Sequence, residues 1–146
     1  MTAAVQAKPP FSDKYDLALA RAYLEKHHRG LRRRLTTWRE SRLAGRALKL
    51  AGNPESVLDM PCGAGRFWPV LASHPTRRLL AGAVSPAMLQ IAAGAAEPAV
   101  LARFETLAPM DAFALDLPDG AVEHVLCMRL LHHMATAADR LRILRE

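Results

Sequence analysis

From residue 56 onward, short apolar runs alternate with helix-compatible stretches, and no other feature restricts the fold of this chain as strongly. Parallel strands need a crossover between them, usually a helix, so the alternation reads as an α/β sheet rather than an all-α or all-β domain. Ser56 to Met60 is the first buried-type strand. A helix from Arg66 to Ala72 follows, with Pro69 tolerated because it falls in or near the first turn. Leu79 to Val84 reads as the second strand, and Ser85 then caps a helix over residues 87–93 that Pro86 opens. Val100 to Glu105 is expected to be the third strand and Val122 to Met128 the fourth, after a polar turn at Asp116 to Gly120. Thr136 to Glu146 closes as a helix. Such an alternation makes a parallel sheet covered on both faces by right-handed crossovers.

Ahead of this sheet domain, placed at residues 53–146, residues 1–12 with Pro9 and Pro10 read as a flexible leader and residues 13–52 as a helical basic segment. The formal charge of +6 is concentrated there, many of the 20 Lys and Arg lying between Lys26 and Lys49. Leu31, Leu35 and Trp38 share one face at i, i+4, i+7 spacing. Leu43, Ala47 and Leu50 form a second, rotated stripe, so a bend or a helix break is expected near Ser41 to Gly45, and Gly52 and Pro54 end the helix. The arginines read as the solvated side of a cover helix in preference to a phosphate-contacting surface. Nucleic acid is the lesser partner, because no aromatic residues interleave with the basic ones on a common surface.

Two cysteines, Cys62 and Cys127, lie far apart in no ligand-like spacing, as in a reduced cytoplasmic protein. No stretch approaches the ~20 apolar residues of a membrane span. The adjacent His27 and His28 point about 100° apart on a helix and make no two-ligand metal pair, so no metal is expected.

The chemistry concentrates at Val57-Leu58-Asp59-Met60-Pro61-Cys62-Gly63-Ala64-Gly65-Arg66-Phe67. A strand ending in a carboxylate runs into a small-residue loop that opens a helix, which brings backbone N–H groups to the carboxyl edge of a sheet. Such a place suits an anionic or zwitterionic ligand. Two glycines at spacing two, followed by Arg66-Phe67-Trp68, disfavour the dinucleotide pattern Gly-x-Gly-x-x-Gly.

The stretch resembles the first motif of the class I S-adenosylmethionine-dependent methyltransferases, roughly Asp-x-Gly-x-Gly-x-Gly, with Pro61 in place of the first glycine. The resemblance implies a Rossmann-like fold and S-adenosyl-L-methionine as cofactor, with Asp59 near the methionyl amine and Pro61, Cys62, Gly63 and Gly65 along its amino-acid end. Gly82 to Leu89 is similar to the family's Gly-x-Asp-x-Ser-x-x-Met-Leu, implying a place for Ser85 and Met88 beside the cofactor. The acid that would hold the ribose is missing, one position being deleted between Gly82 and Ser85. Met110-Asp111-Ala112 looks like the family's Gly-Asp-Ala segment, so Asp111 and Ala112 are expected near the adenine. Met128 is expected to border the methyl donor, and His132 and His133, in a Leu-His-His run, to face the acceptor as candidate bases.

The family's sheet usually has seven strands, whereas four are legible here, for which the resemblance implies the order 3-2-1-4, so the domain reads as incomplete after the fourth strand. The fourth strand is then an edge through which a second copy or partner chain would associate. The resemblance implies transfer of a methyl group to an unidentified small molecule. The alternative is a noncatalytic remnant or interaction module with a basic helix.

Overall fold

A computed structural model describes residues 31–146. The leader and the start of the basic segment expected over residues 1–30 lie outside the described residues. Helix α1 (Leu31–Leu50) leads into β1 (Ser56–Asp59), α2 (Trp68–Ala72), β2 (Arg78–Ala83), α3 (Pro86–Ala95), α4 (Pro98–Leu101), β3 (Phe104–Pro109) and β4 (His124–Leu126); a 3-10 turn (Leu131–His133) and α5 (Ala137–Ile143) follow. All strand pairs are parallel and the order is β3-β2-β1-β4, as the resemblance implied. The architecture is a Rossmann-like α/β sheet. Among the described residues no helix is long and apolar enough to cross a membrane.

Register explains the core. Val57 pairs with Leu79 and Asp59 with Ala81, so these residues share one face, on which Leu71, Phe67, Trp68 and the apolar side of α3 pack. The opposite face carries Leu58, Leu80, Met60 and Met110, covered by Leu115, Leu117 and Val122 of the long β3–β4 connection. Helix α5 reaches that connection through Arg142, whose guanidinium lies 5.2 Å from the Phe113 ring centre.

Three sequence expectations need correction. Helix α1 runs unbroken through Ser41 to Gly45. Its buried positions are Ala44 and Leu48, flanked by half-buried Thr37, Ser41 and Gly45, which form a single stripe at helical spacing. Leu35, Trp38, Leu43 and Leu50 face outward instead, each more than half exposed. Beside Leu48 the inner face takes the small residues Ala44 and Gly45, because α1 lies close against α2 there; a Cβ on Gly45 would come 3.3 Å from Val70 Cγ2.

The third strand runs over Phe104–Pro109, later than residues 100–105, because Glu97 and Pro98 start the short helix α4 and draw Val100 and Leu101 into it. The fourth strand is paired only over His124–Leu126, at the edge of the sheet, where Val125 is half exposed. The second strand and the Ser85 cap match the sequence: the Ser85 hydroxyl accepts from the Met88 N–H.

Candidate functional site

Where β1 ends, the chain turns through Met60 to Phe67 before α2 begins. The turn is pinned to the sheet by the Cys62 N–H, which donates to the Gly82 carbonyl at 2.8 Å, and it closes on itself through Gly65 N–H to Cys62 O and Trp68 N–H to Gly65 O. Gly63 and Gly65 both have positive φ, +55° and +70°, in the left-handed region that side chains rarely adopt. Their surroundings differ. A Cβ on Gly63 would meet nothing within 4 Å, whereas one on Gly65 would lie 2.8 Å from Trp68 Cδ2.

Beneath the turn lies Asp59, fully buried. Its Oδ2 accepts from the Trp68 indole N–H at 3.1 Å, while Oδ1 is enclosed with no hydrogen-bond partner. Burial raises the Asp59 carboxyl from its ordinary 3.8 to about 8, against the opposing influence of the Trp68 bond and the Arg66 guanidinium. Folding therefore favours the protonated acid. Its contribution to stability is complete below 3.8 and is lost as the pH rises toward about 8. Wild-type melting temperature is expected to fall between about pH 6 and about pH 8, and Asp59→Asn, which mimics the protonated form, is expected to flatten that fall. Thermal melts across the range check this; identical slopes would contradict it.

Burial, then the charge of Asp59, also pushes the Cys62 thiol up to about 12, so it is an inert packing group at neutral pH. Cys127 shifts in the same direction for the same two reasons.

The turn forms the middle of a cleft of about 810 Å³. Thr37 and Trp38 of α1 wall one side and Ala92, Ala95 and Val100 another, with Met128 and Arg129 at the exit of β4. The α1 wall is tied to the turn by Glu40, whose carboxylate meets Arg66 Nη2 at 2.7 Å and accepts from Arg129 Nη2 at 2.8 Å. Arg129 itself has a left-handed backbone, φ +61°.

Of the residues singled out from sequence, Pro61, Cys62, Gly63, Gly65 and Met128 line this cleft together. Asp59 lies below it. Ser85 caps α3, and Met88 is buried in the core cluster that also contains Cys62 and Trp68. Asp111 accepts from the Phe113 N–H at 2.9 Å in a local turn, and Ala112 packs on the second face of the sheet. These four are not among the residues lining the cleft. His132 and His133 are exposed on the 3-10 turn with ring centres 3.9 Å apart. Desolvation, the His132 ring and Arg129 hold His133 below the ordinary imidazole value, so it is neutral at pH 7. Among the described residues no cluster of His, Cys, Asp and Glu could hold a metal ion.

Sequence reasoning missed Trp68, Glu40 and Arg66. Nothing in local spacing marks an indole nine residues beyond a strand-end acid as its partner. Glu40 carried a weak signal, as the one acid within an arginine-rich helix.

A family model described as a methyltransferase domain matches residues 57–146. The chain is also similar to the crystal structure of the [4+2]-cyclase SpnF, at 26% identity and a TM-score of 0.55, over 70% of this chain and 39% of that one. It thus spans about two fifths of that protein's length. No curated protein matches it in sequence.

Proposed function

The chain belongs to the methyltransferase-domain family, and from that premise we propose that it binds S-adenosyl-L-methionine at the β1–α2 turn and transfers the methyl group to a small molecule. The observation that carries the reading is the coincidence of a glycine turn open to an 810 Å³ cleft with an enclosed carboxyl oxygen that lacks a donor. An ammonium group near the turn would satisfy that oxygen, and the open space at Gly63 admits a ligand close to the backbone. The residues fit the amino-acid end of this cofactor. When bound, it would supply a methyl group already activated on a sulfonium.

The protein's part is then alignment and exclusion of water. Gly63 and Gly65 would give main-chain contact, Asp59 would accept from the amine, whose positive charge would favour the ionised carboxylate over the acid that burial alone favours, and Met128 would pack beside the reacting region. Ser85, Met88, Asp111 and Ala112 would support the nucleoside end from β2 and β3. His133, neutral at pH 7, would accept a proton from an oxygen or nitrogen acceptor, with His132 beside it. The cytoplasmic setting expected from the two cysteines belongs to the same proposal, as does association of a second copy at the β4 edge, where Val125 is 45% exposed.

Calorimetric titration of the full chain tests the reading. Saturable heat below millimolar S-adenosyl-L-methionine is expected. A loss of affinity of about tenfold or more relative to a site holding a ribose carboxylate follows from the missing acid, since a bond to a charged group contributes ~1.5–3 kcal/mol. No binding at millimolar ligand would overturn the assignment.

A further inference from the structure

Helix α1 carries seven Arg or Lys among its 20 residues and one acid, Glu40, which is engaged at the cleft. At 3.6 residues per turn, Arg39, Arg42, Arg46 and Lys49 fall within roughly 80° of arc on the side away from Ala44 and Leu48. All four are exposed. Trp38, on the edge of the same stripe, is 54% exposed, and the Arg42 guanidinium lies 4.9 Å from its ring centre. The outward rotation of Trp38 supplies the aromatic element among the arginines that the sequence reading placed inside.

Along this flank runs a groove of about 610 Å³, with Trp38, Arg42, Arg46 and Lys49 on one wall and Ser73 and His74 on the other. Among the described residues no Asp or Glu lines it. Near its floor Arg77, 4% exposed, donates to the carbonyls of Pro54 and Leu71, and Arg103 donates to those of Ala72, His74 and Arg77. Both guanidinium charges are hydrogen-bonded yet not neutralised by a carboxylate among the described residues, which leaves the groove electropositive from below as well as from the side.

We infer that this groove binds a single-stranded nucleic acid, its phosphates along Arg42, Arg46 and Lys49 and one base stacked at Trp38. The inference is independent of the methyl-donor reading. Arg42, Arg46 and Lys49 are spread over seven helical rises, about 10 Å, which lets the three side chains meet two or three successive backbone phosphates. A single strand is favoured because stacking at Trp38 needs an uncovered base face, which a duplex does not offer. A bilayer is disfavoured by shape and pattern: the site is concave, and basic and apolar residues interleave on one side of α1, where a membrane-surface helix segregates them.

Fluorescence anisotropy of a short fluorescein-labelled oligouridylate with the full chain tests this. Binding is expected to weaken with salt at a log–log slope of about 2, three contacts at ~0.7 each. Arg42→Ala with Arg46→Ala should weaken it at least about tenfold, and Trp38→Leu roughly fivefold or more. Arg142→Ala with Arg145→Ala removes equal charge elsewhere and should change it less than about twofold. Equal losses from the two arginine pairs, no effect of Trp38→Leu, or binding only to phosphatidylcholine–phosphatidylglycerol vesicles would overturn the inference. Titrating S-adenosyl-L-methionine into the same samples separates the two readings: donor binding without oligonucleotide binding removes this one alone, and the converse removes only the other.

Discussion

Replacing Trp68 by alanine is expected to lower the stability of the chain by about 3–5 kcal/mol, a large part of the ~5–15 kcal/mol that holds a domain of this size. The side chain is fully buried, its ring centre lies 4.6 Å from that of Phe104, and its indole N–H is the recorded donor to Asp59. Truncation therefore opens a cavity and strips a buried carboxyl of its partner in one step. Trp68→Phe separates the two effects: it keeps an aromatic body but removes the donor, and is expected to destabilise by about 1–3 kcal/mol. Combined with Asp59→Asn, the Phe variant should lose less than the sum of the single changes, because the two side chains act on one hydrogen bond. Urea denaturation measures all four proteins. A Trp68→Ala midpoint shift worth under ~1 kcal/mol would show that the contact contributes little.

The second large effect is on binding. Gly63 and Gly65 share a backbone conformation but not an environment, so side chains at the two positions should fail in different ways. At Gly63 an arginine would be accommodated with roughly 1–2 kcal/mol of left-handed strain and would project into open space. Gly63→Arg should stay folded and weaken binding of S-adenosyl-L-methionine at least about a hundredfold, through steric exclusion and repulsion of the cationic donor. At Gly65 even alanine meets the Trp68 ring, so Gly65→Ala should lower melting temperature and affinity together. Calorimetry and thermal melts on both variants distinguish these outcomes. Wild-type affinity in Gly63→Arg would remove the turn from the binding site.

Much of this was legible in local sequence. Asp59, the two glycines and the Ser85-Pro86 cap are defined by steric and hydrogen-bonding needs that a few neighbouring residues express. The parallel sheet followed from the alternation of strands and helices, whereas its order came from the family resemblance and not from any local pattern. The face of α1 was misread because apolar size was taken to mark the inside, while the close approach of α2 selected Ala44 and Gly45 there. The start of β3 was misplaced because Val100 and Leu101 look strand-like, although Glu97 and Pro98 commit them to a turn of helix. Trp68 as the partner of Asp59, and Glu40 between two arginines, are products of tertiary placement with no local pattern.

Glu40 has a mechanical consequence. One carboxylate meets guanidinium groups from two separate connections, the β1–α2 turn and the β4 exit, so withdrawing α1 would take this shared counter-charge from both Arg66 and Arg129. Each contact is partly exposed and worth at most about 1 kcal/mol, which makes the arrangement a light three-way latch. An anionic group reaching either arginine would compete with Glu40 for it, so its arrival and the loosening of the helix wall are thermodynamically linked.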